Sequence, residues 1–371
     1  MADDDCREHP DYLSKQLITC LGNKRSLLGP IEAAVEKVKR RLGRERISFF
    51  DLFSGSGIVT RLMKSHASHV IANDLEAYAA VASRCFLSNR SDVDLPALAD
   101  VVTDLNDRAT RSDAPSGFIA AMYAPRDEEN ITADDRVFYT RANARRLDAI
   151  RQLIDTAPAH LRDLLLAPLV SAASVHANTA GVFKGFYKNR QTGVGQFGGS
   201  GSDALQRICG EIRLEPPILS NFECPFEVFQ ADAHAAAIQA RPVDLAYLDP
   251  PYNQHPYGSN YFLLNLLVGY ERPERVSRVS GIPEDWNRSA FNVRAEALPK
   301  LEALAKDLRA TFLLVSFNNE GFIPPAAMRS MLADQGRVEE IEIPYTAFRG
   351  SRSFANRSTH VTEHLFLVER R

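Results

Sequence analysis

An α/β fold built on a doubly wound parallel sheet, interrupted by a mainly helical insertion, is what the sequence predicts, and three observations carry it. A strand runs into a glycine turn and a helix between Ile47 and Met63. A second strand and helix follow from Val70 to Phe86. Strand-like runs then return only after residue 221. Strands that alternate with helices favour a parallel sheet covered on both faces, with right-handed crossovers.

The elements follow in order. Leu28, Ile31, Val35, Val38 and Leu42 recur at helical steps, and Gly43 supplies a stop. The apolar run Ile47 to Phe53 leads into Ser54-Gly55-Ser56-Gly57, after which Ile58, Leu62 and Met63 begin a helix. Val70-Ile71-Ala72 ends in Asn73-Asp74 and is followed by Ala77, Ala80, Val81 and Phe86 at helical spacing. The alternation stops from Ser91 to Asp135, a stretch rich in Asp, Pro and polar residues, and Leu147 to Val175 reads as helical without strands. Gly181 to Gly201 interleaves seven glycines (Gly181, Gly185, Gly193, Gly195, Gly198, Gly199, Gly201) with basic and aromatic side chains, which describes a mobile loop. Strands resume at Phe226–Phe229, Val243–Leu248, Thr311–Val315 and His364–Val368. Residues 1–88 and 222–371 are thus expected to build the sheet domain, with 89–221 inserted in it.

Composition sets the class. The 371 residues, 45% hydrophobic and 25% charged, suit a soluble chain of two or three domains. The longest apolar runs, around Leu263 to Val268, are far short of the roughly 20 residues that a membrane span requires. The acidic start Met1-Ala2-Asp3-Asp4-Asp5 lacks the form of a secretory signal, so a cytoplasmic location is expected. Cys6, Cys20, Cys85, Cys209 and Cys224 show no paired spacing, so neither a disulfide framework nor a metal site is expected. A net charge of -3 argues against indiscriminate coating of nucleic acid. Locally the balance differs. Between Asn23 and Arg46 stand eight basic residues (Lys24, Arg25, Lys37, Lys39, Arg40, Arg41, Arg44, Arg46) against Glu32, Glu36 and Glu45. A solvated helix face and a phosphate-contacting one both fit that pattern.

Two constellations carry chemistry. A strand entering Gly55-x-Gly57 at a helix start brings backbone N–H groups close to a ligand, although it lacks the third glycine of the dinucleotide fingerprint. Asp74 closes the next strand about twenty residues on, where an acid accepts bonds from ribose hydroxyls; a helix N-cap is its other reading. Val243 to Leu248 then delivers Asp249-Pro250-Pro251-Tyr252 at a strand's carboxyl end, where open α/β sheets bind ligands. The prolines stiffen the segment and lack N–H groups, so it presents acceptors: the Asp249 carboxylate and the Pro250 carbonyl. Such a site suits an exocyclic amine. Two accepted hydrogen bonds would favour a tetrahedral nitrogen with its lone pair free for in-line attack, with Tyr252 stacked on the base. A proline-stiffened turn with a capping Asp is the bland alternative.

These residues resemble the adenine-specific DNA methyltransferases in which the cofactor loop precedes the target-recognition region and Asp-Pro-Pro-Tyr comes last. The resemblance spans nearly the whole chain. It implies S-adenosylmethionine as cofactor, held by Lys24 in the segment Leu21-Gly22-Asn23-Lys24-Arg25, by Asp51, Phe53, Ser54, Gly55 and Gly57 of the loop, by Asp74 at the ribose, by Asp232 at the adenine amine, and by Asp249. Asp232 reads equally as a helix cap. The catalytic residues implied are Asp249, Pro250, Pro251 and Tyr252. The resemblance makes 89–221 the recognition domain, with Lys184, Lys188 and Arg190 on phosphate and Phe186 or Tyr187 supporting the displaced strand. Leu313 to Glu320 resembles the strand after the catalytic one, and Phe348 to Glu363 a C-terminal hairpin near the target base, whose Arg349, Arg352 and Arg357 suit phosphate contact. Double-stranded DNA is the expected partner, a flipped adenine the substrate, and a cognate restriction endonuclease a further partner. Cys224-Pro225 reverses the Pro-Cys order that cytosine-C5 enzymes use. The rivals are transfer to cytosine N4, an RNA adenine methyltransferase, and a DNA-binding protein without activity.

Overall fold

Period-two alternation in the strands sets the architecture. In β1 (Ile47–Asp51), Phe49 and Phe50 enter opposite apolar layers, and in β4 (Val243–Leu248) Leu245 and Tyr247 face one layer while Ala246 and Leu248 face the other. Both faces are therefore covered. The computed structural model describes residues 7–19, 22–111, 113–199, 203–346 and 360–371. The remaining strands are β2 (Ala67–Asp74), β3 (Phe226–Gln230), β5 (Ala310–Asn318), β6 (Gly336–Thr346) and β7 (His360–Arg370). They form one sheet in the order β3-β2-β1-β4-β5-β7-β6, parallel except for β7, which runs antiparallel between β5 and β6.

The helices among the described residues are α1 (Leu28–Leu42), α2 (Ile58–Met63), α3 (Ala77–Leu87), α4 (Leu95–Ala109), α5 (Phe118–Tyr123), α6 (Arg141–Ile154), α7 (Arg162–Val175), α8 (Asp203–Cys209), α9 (Ala233–Gln239), α10 (Tyr257–Asn260), α11 (Phe262–Gly269), α12 (Arg294–Asp307) and α13 (Pro325–Ala333). Helices α1 and α2 cover one face of the sheet, and α9, α12 and α13 cover the other. A third apolar core joins α4, α6 and α7 to Tyr78–Phe86 of α3 and to Tyr261–Leu267, so the helical layer is packed onto the sheet domain rather than tethered to it.

Three differences from the expected pattern have physical causes. The polar stretch after Ser91 contains α4, capped by Asp94 with Pro96 in its first turn, and its buried Leu98, Val102 and Leu105 lie at helical steps diluted by charged neighbours. The helical stretch expected over 147–175 is helical without strands, but it divides into α6 and α7 at Asp155–Leu161, where Pro158 stands. Strand β6 escaped notice because its Glu339, Glu340 and Glu342 are strongly polar; they are carried by an outer strand. The basic stretch of α1 proves to be ion-paired: Lys37 and Arg41 meet Glu339, and Arg41 also meets Glu369. This face binds strands β6 and β7. No helix of the described residues is long and apolar enough to cross a membrane.

Arg61 of α2 positions the chain's start. Its guanidinium is buried against the ring of Phe86 and donates to the carbonyls of Tyr12, Lys15 and Gln16, at 2.9, 3.0 and 2.9 Å. That fixes the segment leading to residues 22–24. Arg61→Met leaves three carbonyls without this donor and is expected to cost about 3 kcal/mol of stability in urea denaturation. A loss below about 0.5 kcal/mol would show that the segment is held by other contacts.

Candidate active site

The first strand pair turns towards β2 and the second towards β5, so β1 and β4 lie adjacent with connections leaving in opposite directions. A crevice opens at such a switch point. It holds a pocket walled by residues from the ends of β1, β2 and β4 and from the turn at residues 22–24. The carboxyl ends of β1 and β4 bring Asp51 and Asp249 to its wall. Of the residues expected from sequence, Lys24, Asp51, Phe53, Ser54, Gly55, Asp74, Asp232, Asp249 and Pro251 line this one pocket. Gly57, Pro250 and Tyr252 stand outside the lining. Gly57 begins α2 at φ 75°, a left-handed turn that favours glycine, Pro250 is buried behind the wall, and the Tyr252 ring meets Phe317 edge-on at 6.2 Å.

The loop is tied to β2 through side chains. Asn73 donates to the carbonyls of Leu52 and Ala231 at 3.0 and 3.2 Å, joining the ends of three strands. Asp74 accepts the N–H of Gly55 on one oxygen at 2.7 Å and that of Glu76 on the other at 2.9 Å. It is not the N-cap of α3, a position that Glu76 occupies without a side-chain bond. Asp232 is a cap. Its Oδ1 accepts from His234 and Ala235 at the start of α9, while the same carboxylate borders the pocket.

Lys24 reaches the site from a short 3-10 turn that Asn23 caps. Before it, Gly22 turns at φ 75°, and a Cβ there would come 2.8 Å from the Tyr257 hydroxyl. The Lys24 ammonium, buried at 6% exposure, lies 3.1 Å from Asp249 Oδ1 and 2.7 Å from Glu363 Oε1. Burial alone would lower its pKa, but Asp249 and Glu363 together hold it well above the ordinary value. It is a fixed cation.

The carboxyl groups respond in the opposite sense. Burial pushes Asp51 up from its ordinary 3.8 to about 7, against hydrogen bonds from Thr60 and the Phe53 N–H. Burial likewise raises Glu76 to about 7, against bonds from Asn265 and Asn287, and Asp249 to about 6, against Lys24. Asp74 is raised as well, again by burial. The pocket therefore gathers acids that are poorly solvated, a common mark of a functional site.

Glu76, Asn287, Glu363 and Ser316 were not anticipated. Glu76 follows Asp74 by two residues and lines the pocket; its Oε2 takes amide donors from Asn265 at 2.5 Å and Asn287 at 3.1 Å. Ser316 of β5 donates to Glu363 Oε1 at 2.5 Å. Strand periodicity was the available signal for Glu363, because it shares a sheet face with Leu365 and Leu367, and that face also carries Ser316.

The basic loop lies close by. Lys184, Lys188 and Arg190 are exposed, and the loop joins the segment after Asp249: Phe183 N–H donates to the Asn260 carbonyl at 2.7 Å, and Ser280 donates to that of Lys184 at 2.6 Å. The charge of Lys184 is felt by His255. Phe186 sits beneath the Lys188 ammonium and packs on Phe138. Arg349, Arg352 and Arg357 lie outside the described residues.

Comparison with known proteins agrees with this geometry. Residues 21–281 match the family model described as D12 class N6 adenine-specific DNA methyltransferase. Among curated relatives, the chain is 28% identical to the type II methyltransferase M.NlaIII of Neisseria lactamica over 94% of its length and 98% of the relative's. It is 28% identical to the type II methyltransferase M.CviAII of Paramecium bursaria Chlorella virus 1, over 90% and 93%. It is 26% identical to the modification methylase StsI of Streptococcus sanguinis, over 95% of this chain and 52% of that one.

The raised pKa of Asp51 makes a stability prediction. The folded protein holds this proton more tightly than the unfolded chain does, so the group's unfavourable contribution is absent below about pH 4 and complete above about pH 7. Asp51→Asn, in the absence of ligand, is expected to be more stable than the unsubstituted protein by on the order of 2 kcal/mol at pH 8, the gap closing as the pH falls through that window. Thermal unfolding across pH checks it. A gap independent of pH would mean that Asp51 is not ionised at a cost.

Proposed function

Since the chain belongs to the D12 class of N6 adenine-specific DNA methyltransferases, we propose how its own residues bring the methyl donor and the target adenine together. The enzyme methylates adenine N6 in DNA, as its family and its relatives among the modification methylases establish, in place of cytosine N4 or RNA. The donor is S-adenosylmethionine. The donor set of the pocket fits it: Asp51, Asp74, Glu76, Asp232 and Asp249 border the space with Lys24 as their counter-charge, and this excess of carboxylates suits a ligand that is cationic overall. When bound, this cofactor supplies a methyl group made electrophilic by a sulfonium. Asp74 would hold the ribose hydroxyls, since Gly55 and Glu76 leave lone pairs free on it, Asp232 would hold the adenine amine, and Asp51 with the 22–24 turn would border the methionine end.

One observation supports the role of Asp249 above the others. Its carboxylate borders the same pocket as Asp74 and Asp232, while the chain just beyond it, at Gln254 and His255, is exposed. That position supports a role for Asp249 at the boundary between the pocket and an incoming base. A target adenine rotated out of the duplex meets the Asp249 carboxylate and the Pro250 carbonyl with its amine N–H groups, and Tyr252 with its face. The two acceptors turn the amine lone pair towards the methyl group. After transfer the nitrogen is transiently cationic, and its proton leaves to solvent or to Asp249.

Residues 1–88 and 222–371 act in this scheme as the catalytic domain and 89–221 as the target-recognition domain, with Lys184, Lys188 and Arg190 on phosphates. The names of the relatives, type II methyltransferases and modification methylases, support a place in restriction-modification; a cognate restriction endonuclease as partner and a site of action in the cytoplasm complete the proposal.

Asp249→Ala is expected to lower labelled-methyl transfer to duplex DNA by at least about a thousandfold, while the Kd for S-adenosylmethionine changes by less than about threefold. Retained transfer would refute the acceptor role. The double variant Lys184→Ala, Lys188→Ala is expected to weaken DNA binding at every sequence and to reduce the salt slope by about two. An unchanged slope would remove the loop from the DNA interface.

A further inference from the structure

Lys24 has a second carboxylate partner to which the scheme above gives no task. Glu363 of β7 is 1% exposed, and its Oε1 takes both the Lys24 ammonium at 2.7 Å and the Ser316 hydroxyl at 2.5 Å. Asp249 has only the longer contact of 3.1 Å with the same ammonium. Glu363 Oε2 is buried and accepts no hydrogen bond among the described residues. A carboxylate buried with one oxygen unpaired is costly to desolvate, and its pairing with the Lys24 ammonium is what offsets that cost. Glu363 does not line the pocket. Whatever it does for the reaction, it does through Lys24.

We infer that Glu363 is a positioning residue for methyl transfer: it holds the Lys24 ammonium away from the target amine, so that Asp249 keeps a free, electron-rich oxygen for the adenine N–H groups. This rests on the assignment of Asp249 as amine acceptor. An ammonium carries three donors and no acceptor, so it competes with the substrate amine for carboxylate lone pairs. With Glu363 in place, the stronger contact goes to a carboxylate that never meets substrate. With its charge removed, Lys24 turns fully onto Asp249.

The charge balance gives the sign of the effect. Asp249 faces Lys24 from the 3-10 turn, Glu363 from β7, Asp51 from β1, Tyr247 from β4 and Tyr252 from the segment that follows. Lys24 is the cation among them. Burial raises the Asp249 pKa most, Lys24 opposes it, and Glu363 raises it further. The active form is the ionised one, so transfer falls as pH drops through this pKa. Removing the charge at position 363 lowers the pKa and moves the acid limb to lower pH.

The test is single-turnover transfer to duplex DNA with saturating S-adenosylmethionine, from about pH 5 to about pH 9. For Glu363→Gln the expected result is a plateau roughly tenfold lower, an acid limb displaced to lower pH, and an unchanged cofactor Kd. Glu363→Asp keeps the charge on a shorter arm; its limb stays in place while its plateau falls. A lowered plateau with an unmoved limb in Glu363→Gln is what a merely structural role produces, and it overturns the inference, as does full activity. Should Glu363→Gln fail to fold in thermal unfolding, Glu363→Asp decides: an unreduced plateau overturns the proposal. If Asp249→Ala remains active, the acceptor assignment has failed. If Asp249→Ala is inactive and the limb of Glu363→Gln is unmoved, only the role of Glu363 has failed.

Discussion

The burial of one ammonium between two carboxylates organises this site. Lys24, Asp249 and Glu363 come from the chain's beginning, its middle and its end, and none of the three groups is well solvated. A buried charge must be paired or must lose its proton. Each member therefore requires the other two, and the elements that carry them must close together. Arg61 fixes the segment before Lys24, and the cap from Asn23 turns it inwards. On the other side, β5 and β7 pair through Asn318 and Glu363, which sets the carboxylate at the level of the pocket.

The strand order explains why such distant residues converge. Connections from β1 and β4 diverge, so the space above their carboxyl ends is left open, and Asp51 and Asp249 are the residues that follow or end these strands on the face shared with α1. An antiparallel β7 brings its own start to the same edge at which β5 finishes. Period two then selects which side chains meet: Tyr247 and Asp249, Leu314 and Ser316, Leu365 and Glu363 alternate onto one face. A one-residue slip in β7 would turn Glu363 to the opposite layer and strand the ammonium.

Much of this was legible in the residue order. Local signals that need no tertiary knowledge, such as the helical steps of Leu28 to Leu42 and the strand ending in Asp249, match the structure at nearly the same boundaries. Asp74, Asp232, Lys24 and the glycine loop converge on one pocket. What stayed hidden depends on contacts between distant segments. Glu363 reads as a polar residue in a terminal strand until β5 places Ser316 beside it. Glu76 reads as part of a helix start until Asn265 and Asn287 arrive from 189 and 211 residues further along the chain. Strand β6 was concealed for the same reason, since its Glu339 and Glu340 meet Lys37, Arg41, Arg329 and His364 on other elements. The reverse case is Asp232, where the cap and the pocket-facing acid are one residue: Oδ1 serves the helix, and the carboxylate still borders the pocket.

The same electrostatics bear on why a weak acid suffices as the amine's partner. An alkylated amine on an aromatic ring sheds its proton readily, so the enzyme gains little from a strong base; it gains from an acceptor that is ionised near neutral pH and close enough to shape the lone pair. An isolated carboxylate in this pocket would be neutral because of burial, and one paired tightly to Lys24 alone would be ionised but occupied. Sharing the ammonium with Glu363 lies between these limits: the Asp249 pKa is about 6, below neutrality, and the cation is drawn to the other carboxylate. The hydrogen-bonding capacity that Asp249 offers to substrate is thus set by a residue at the far end of the chain. It also follows that the acids around the cofactor pocket and the acid at the target base are not independent, since the charge of Asp249 adds to burial in raising the proton affinity of Asp51.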